Sequence, residues 1–217
     1  MEIVATIFDL DGTIIRSEKE WGMAYLSVLQ KLGQNISSDP HIPGVSVKSN
    51  WQNFITKFNI KTDKTVEELE IMTFAEYEKL ISQITLNDGV IEFMDLLKEN
   101  GISLSLATSS NWELTDKILK QFGLINYFES ITTGEEVLDS KPAPDIFLLA
   151  SEKLGVDPMD CLVIEDSVSG ITAAKDAGMK VVAISNEDNE ENLEEANLVV
   201  ESFSAITLKA IDALSLD

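Results

Sequence analysis

The sequence predicts an α/β protein, a doubly wound parallel sheet with an all-helical insert after its first strand. Two observations carry this. Through residues 87–217, short and almost wholly apolar runs alternate with stretches of helical periodicity. Runs of that kind suit parallel strands covered on both faces, joined by right-handed helical crossovers. Residues 16–86, by contrast, hold helical patterns and no convincing strand.

The first strand spans Ile3 to Leu10. Ser17 followed by Glu20 then has the form of a capping box, and Trp21, Ala24, Tyr25, Val28, Leu29 and Leu32 keep helical spacing until Gly33. Val47, Trp51, Phe54, Ile55 and Phe58 form a second apolar stripe, and Leu69, Met72, Tyr77, Leu80, Ile81 and Ile84 a third. Such stripes form the core of a small helical domain. After it, strands at Ile102–Ala107, Ser130–Thr133, Cys161–Ile164, Val181–Ile184 and Leu198–Val200 alternate with helices near 88–100, 112–122, 144–154, 168–177 and 204–214. The expected division is therefore a catalytic core of 1–15 and 87–217 and a helical cap of 16–86. The acidic run Glu187 to Glu195 is expected to be a solvated face.

Composition narrows the function. The 217 residues carry 16 Lys plus Arg against 38 Asp plus Glu, a formal charge of −22. That surface repels phosphate backbones, so neither nucleic acid nor an anionic membrane is an expected partner. A small anionic substrate would need local positive charge from a metal, a lysine or helix N-termini. One cysteine, Cys161, excludes an intramolecular disulfide and reads as a buried strand thiol. Glu2, Asp9 and Asp11 interrupt any signal-peptide apolar region, and no apolar run approaches the roughly 20 residues that span a bilayer. A soluble, cytoplasmic protein is the expectation.

Four polar clusters fall where strands end, the edge at which open α/β sheets bind ligands. In Asp9-Leu10-Asp11-Gly12-Thr13 two carboxylates at i and i+2 point the same way, which is costly unless a cation or a proton separates them. Thr108 and Ser109 offer a hydroxyl and backbone N–H groups before a helix, which make an anion cradle, while Ser109, Ser110 or Asn111 could equally be simple N-caps. Lys141 precedes Pro142-Ala143-Pro144, which stiffens its chain, either as a phosphate-facing ammonium or as a surface lysine before a helix. Glu165 and Asp166 close an apolar strand as hard oxygen ligands or as helix caps.

In this order and placement the clusters resemble the four motifs of the haloacid dehalogenase (HAD) superfamily. Phe-Asp-Leu-Asp-Gly-Thr at 8–13, Lys-Pro-Ala-Pro-Asp at 141–145 and Ile-Glu-Asp-Ser at 164–167 are similar to its β-phosphoglucomutase and sugar-phosphate phosphatase branch, whose cap is a helical insert at the position of 16–86. The resemblance implies Mg²⁺ held by Asp9, the Asp11 carbonyl and Asp166, with Glu165 beside them. It implies Asp9 as nucleophile, Asp11 as acid and base, and Thr108, Ser109 and Lys141 as phosphate-binding groups. Dehalogenation is disfavoured because Asp11 is present.

Mutases of this branch add a cap histidine and a cap arginine. Those fall near Trp21 and Val47 here, with Lys48 one position off as the candidate substrate-binding cation. The departures favour hydrolysis of a small phosphorylated metabolite, with a β-phosphoglucomutase-type reaction as the alternative. His41, in a Pro-rich loop, is expected to be solvated.

Overall fold

A computed structural model describes residues 2–185 and 193–214. Its main sheet has six parallel strands in the order β5-β4-β1-β6-β7-β8. These are β1 (Ala5–Phe8), β4 (Ser103–Thr108), β5 (Ser130–Thr133), β6 (Cys161–Glu165), β7 (Lys180–Ile184) and β8 (Leu198–Val200). All four residues of β1 are buried, as a central strand requires. Side chains alternate cleanly between faces. Phe8, Leu106 and Ile164 join one core, with Phe93, Phe128 and Phe203 around Phe8. Ile7, Ala107 and Val163 join the other, with Phe147 and Ile171. Cys161 is buried in β6, as its apolar setting suggests.

Helices α4 (Val90–Glu99), α5 (Trp112–Phe122), α6 (Asp145–Leu154), α7 (Val168–Asp176) and α8 (Leu208–Leu214) complete the doubly wound core. The chain leaves β1 for β4 on one side and reaches β6 on the other, so the switch point lies at the carboxyl end of β1. Register is in step there: Phe8 pairs with Leu106 and with Ile164. Asp9, Thr108 and Glu165 therefore emerge at one edge.

Between β1 and α4 stand α1 (Glu18–Lys31), α2 (Val47–Lys57) and α3 (Val66–Glu78). Their shared core is aromatic. Trp21 stacks on Tyr77, Tyr25 meets Phe54 edge-on, and Trp51 is fully buried with its indole N–H donating to Thr73 Oγ1 at 2.8 Å. Burying side chains of this size contributes roughly 2–3 kcal/mol each.

Two local expectations fail. The segment is not free of strands, since β2 (Ile15–Arg16) pairs antiparallel with β3 (Thr85–Leu86) where the chain enters and leaves the helices. Asn87 ties this ribbon down by donating from Nδ2 to the carbonyls of Gly12 and Thr13. Strands of two residues carry no alternation to read. Nor does Ser17 cap α1 through its side chain; its hydroxyl donates to Asp11. Capping boxes form instead between Thr65 and Glu68 at the start of α3 and between Thr133 and Glu136 after β5. Most of the acidic run Glu187 to Glu195 lies outside the described residues. Among the described residues, no helix is long and apolar enough to cross a membrane.

Candidate active site

The edge at β1 gathers the predicted residues. Asp9 follows β1 with its N–H donating to the Ile164 carbonyl. Asp9, Asp11, Thr108 and Ser109 line one small pocket together with Glu18, Trp21, Tyr25 and His41. Lys141 is fully buried beneath it. Its ammonium donates to Asp9 Oδ1 at 2.5 Å and to Glu165 Oε1 at 2.7 Å. Glu165 is itself fixed, because its other oxygen accepts from the N–H groups of Asp166 and Ser167 and from Ser167 Oγ. Lys141 is thus held between two carboxylates and Glu165 acts as its anchor.

Asp166 reaches over the first cluster. Thr13 Oγ1 donates to its Oδ1 at 3.1 Å. Gly12 makes the approach possible: its φ is +79°, and a Cβ there would lie 2.1 Å from Asp166 Oδ2. Three buried carboxylates, those of Asp9, Glu165 and Asp166, face a single buried ammonium. Burial, only partly offset by Lys141, holds Asp9 well above the ordinary carboxylate range. Burial also raises Asp166, helped by the charges of Glu165, Glu18 and Asp9. Burial works against the Lys141 ammonium, but Asp9 and Glu165 outweigh it and hold its pKa above the usual lysine range.

This excess of negative charge suits a divalent cation. Among the described residues, no three His, Cys, Asp or Glu side chains converge as a closed metal cage. What the edge offers is the carboxylates of Asp9 and Asp166 and the adjacent Asp11 backbone. Such a sparse, all-oxygen set suits Mg²⁺, which keeps several of its waters.

Asp11 is the most heavily engaged carboxylate. Ser17 Oγ, Trp21 Nε1 and Tyr77 Oη donate to its Oδ1 at 2.8, 2.8 and 3.0 Å, and Ser110 Oγ donates to its Oδ2 at 2.9 Å. Three of these donors come from the helical segment or its entry, and the sequence reading missed all four as partners. Trp21 stands near the position at which the cap histidine of the mutases would fall, and its indole N–H serves there as a hydrogen-bond donor.

Thr108 ends β4, and its Oγ1 accepts from the Ser110 N–H. Ser109 Oγ donates to the Gly44 carbonyl, which brings the loop between α1 and α2 down onto the core. Ser169 Oγ does the same to the Pro43 carbonyl. The cap of α5 is Asn111, the third of the alternatives open at 109–111. Lys48 stands apart on α2. It is half exposed, 3.8 Å from Glu67, and faces a larger neighbouring cleft rather than the pocket of Asp9.

His41 is not solvated. Its side chain is 8% exposed, stacked on Tyr25, with Nδ1 2.7 Å from Asp39 and Nε2 2.8 Å from Glu18. Burial opposes its charge, but the hydrogen bonds to Asp39 and Glu18 prevail and raise its pKa to about 9. No local signal marks this contact, since Glu18 lies far away in sequence.

Sheet topology, switch-point placement and a lysine locked between strand-end acids define a doubly wound α/β protein with a charged ligand site at the carboxyl edge of its sheet. The family model for haloacid dehalogenase-like hydrolases matches residues 6–184. The chain belongs to that family, in the branch similar to β-phosphoglucomutase, and is an enzyme acting on phosphoric monoesters. It is 32% identical to hexitol phosphatase B of Escherichia coli over 213 residues, 96% of each chain. It is also 32% identical to β-phosphoglucomutase of Bacillus subtilis over 215 residues, 95% of this chain and 93% of the relative. The crystal structure of β-phosphoglucomutase from Clostridium difficile superposes with a TM-score of 0.87 at 28% identity, covering 99% of this chain and 97% of that one.

Proposed function

We propose that the chain hydrolyses a small phosphorylated metabolite, a sugar phosphate, through an aspartyl-phosphate on Asp9. The observation that carries this reading is the convergence of Asp9, Asp11, Thr108 and Ser109 on one pocket, with Lys141 locked onto Asp9. The division of labour is a core of 1–15 and 87–217 and a cap of 16–86.

Asp9 attacks phosphorus in line and expels the leaving oxygen. Asp11, oriented by its four donors, protonates that oxygen and later takes a proton from the water that cleaves the intermediate. Thr108, the Ser109 N–H and Lys141 hold the transferring oxygens. Asp9, the Asp11 carbonyl and Asp166 are the groups that would hold Mg²⁺, which when bound supplies positive charge between the phosphate and the carboxylates. The helices exclude bulk water, with Pro43 and Gly44 resting on Ser169 and Ser109. The reading also makes the enzyme a cytoplasmic one.

Isomerisation is the rival, since relatives of both kinds match at 32% identity. A mutase must grip a second phosphate while its intermediate waits. The cations lining the neighbouring cleft are Lys48, beside Glu67, and Lys141, engaged below. That supports hydrolysis. The test supplies β-glucose 1-phosphate with a trace of the 1,6-bisphosphate. Inorganic phosphate should appear faster than glucose 6-phosphate, and the reverse order would promote the mutase.

A further inference from the structure

The pocket of Asp9 is small, but it shares Val45 and Ser109 with a cleft of about 1130 Å³ between the helical segment and the core. It is the larger of two clefts that adjoin the pocket, the other, of about 400 Å³, sharing Glu18, His41, Ile42 and Pro43 with it, and it has the room for what the phosphate carries. On the helical side the cleft presents Gln52 and Asn53 of α2 and Glu67 and Glu70 of α3, and on the core side it presents Asn111 and Glu135.

We propose that this cleft takes the uncharged polyhydroxyl end of a monophosphate and rejects substrates with a second phosphate. The inference rests on the phosphatase reading and adds a substrate class to it. Amide and hydroxyl groups both donate and accept, so they match the hydroxyls of a polyol whatever the orientation of each. Carboxylates accept from hydroxyls but repel phosphate. Glu135 is fixed in place, because its Oε2 accepts from the Trp112 N–H at 2.8 Å. Glu70 of the opposite wall lies near enough to feel it. Burial raises the Glu70 carboxyl and Lys48 lowers it, while the charges of Glu67 and Glu135 push it up again. Among the described residues, the cations lining this cleft are Lys48, which stands beside Glu67, and Lys141, which is buried against Asp9 and Glu165, so a second phosphate would meet no unengaged cation there. Selection is therefore achieved by repelling the wrong substrate as much as by holding the right one.

The experiment compares kcat/KM for a hexitol 6-phosphate, a hexose 1,6-bisphosphate and an amino-sugar 6-phosphate, with nitrophenyl phosphate as a substrate that needs no cleft. Wild-type enzyme should prefer the hexitol monophosphate to the bisphosphate by about 30-fold or more at low salt. The preference should shrink as salt screens the carboxylates. Glu70→Lys reverses one wall charge and should cut the ratio by about tenfold, while Glu70→Gln should cut it by about threefold. Ratios unmoved by both substitutions and by salt would overturn the proposal. So would a tenfold or greater preference for the amino sugar, which would mark the cleft as a cation site. If wild-type enzyme fails to hydrolyse even nitrophenyl phosphate, the phosphatase reading itself falls and takes this one with it.

Discussion

The indole N–H of Trp21 donates to Asp11 Oδ1 at 2.8 Å, and the ring that carries it lies flat on Tyr77, whose hydroxyl donates to the same oxygen. The helical segment and the proposed acid and base are thus joined by two hydrogen bonds from a single stacked pair, with ring centroids 3.7 Å apart. Asp11 has little freedom to turn unless α1 and α3 move with it.

Trp21→Phe keeps the stack and removes one donor. Misorienting Asp11 should hurt leaving groups that need a proton and spare those that do not. We expect kcat on an alkyl phosphate to fall about tenfold, and kcat on nitrophenyl phosphate about threefold or less. Tyr77→Phe should behave alike. Equal losses on both esters would make Trp21 a packing residue only.

Asp9→Asn removes the nucleophile while keeping an oxygen within reach of Lys141. Turnover should fall by about 10³-fold or more. The thermal midpoint should stay within a few degrees of wild type. Activity near the wild-type level, in steady-state assays of purified variant, would end the aspartyl-phosphate mechanism.

Lys141→Met tests the buried charge arrangement rather than the chemistry. It leaves Asp9 and Glu165 facing each other without a countercharge, and breaking a buried pair in this way costs about 3–5 kcal/mol. Urea unfolding should report a loss of that size. A loss under about 1 kcal/mol would mean that the ammonium is not the countercharge of the site.

The sheet was legible in the sequence because strands covered on both faces are written in continuous apolar letters, as in Cys161-Leu162-Val163-Ile164. The strand-end residues were legible because the chemistry sits next to such a strand: Asp9 after Phe8, Thr108 at the end of β4, Glu165 at the end of β6. The partners of Asp11 were not. Tyr77 belongs to an apolar stripe, and nothing in that stripe distinguishes a ring whose hydroxyl is needed from one that merely fills space. His41 failed for the opposite reason, since a Pro-rich loop looks solvated until its long-range partner Glu18 is known.

Metal binding should appear in stability as well as in rate. The carboxylates of Asp9 and Asp166 are both buried at this edge, so Mg²⁺ that they would hold should raise the thermal midpoint of the folded protein. EDTA should remove the rise together with the activity. Asp166→Asn should abolish the Mg²⁺-dependent rise. A midpoint that rises equally in wild type and variant would place the ion elsewhere.

His41 predicts a pH limb. It is enclosed by Glu18 and Tyr25 of α1 and by Asp39 of its own loop. Its pKa is raised to about 9 in the folded chain, from an ordinary value of 6.5. The folded state therefore binds this proton more tightly than the unfolded one. The stabilisation is complete below about pH 6.5 and drains away as pH climbs through 9. Its size is less than the histidine's shift alone suggests, because burial also raises Glu18 and that cost offsets part of the gain. A net contribution of about 1–2 kcal/mol is the expectation. Wild-type stability should fall between pH 7 and 9.5 by about that much more than the stability of His41→Asn, measured by urea unfolding at each pH. The loop fastened by His41 also supplies the Gly44 carbonyl that engages Ser109. Activity should therefore weaken along the same limb in wild type and be flatter, from a lower start, in the variant. Parallel stability curves would mean that the imidazole between Glu18 and Asp39 is not a charged fastening of this loop.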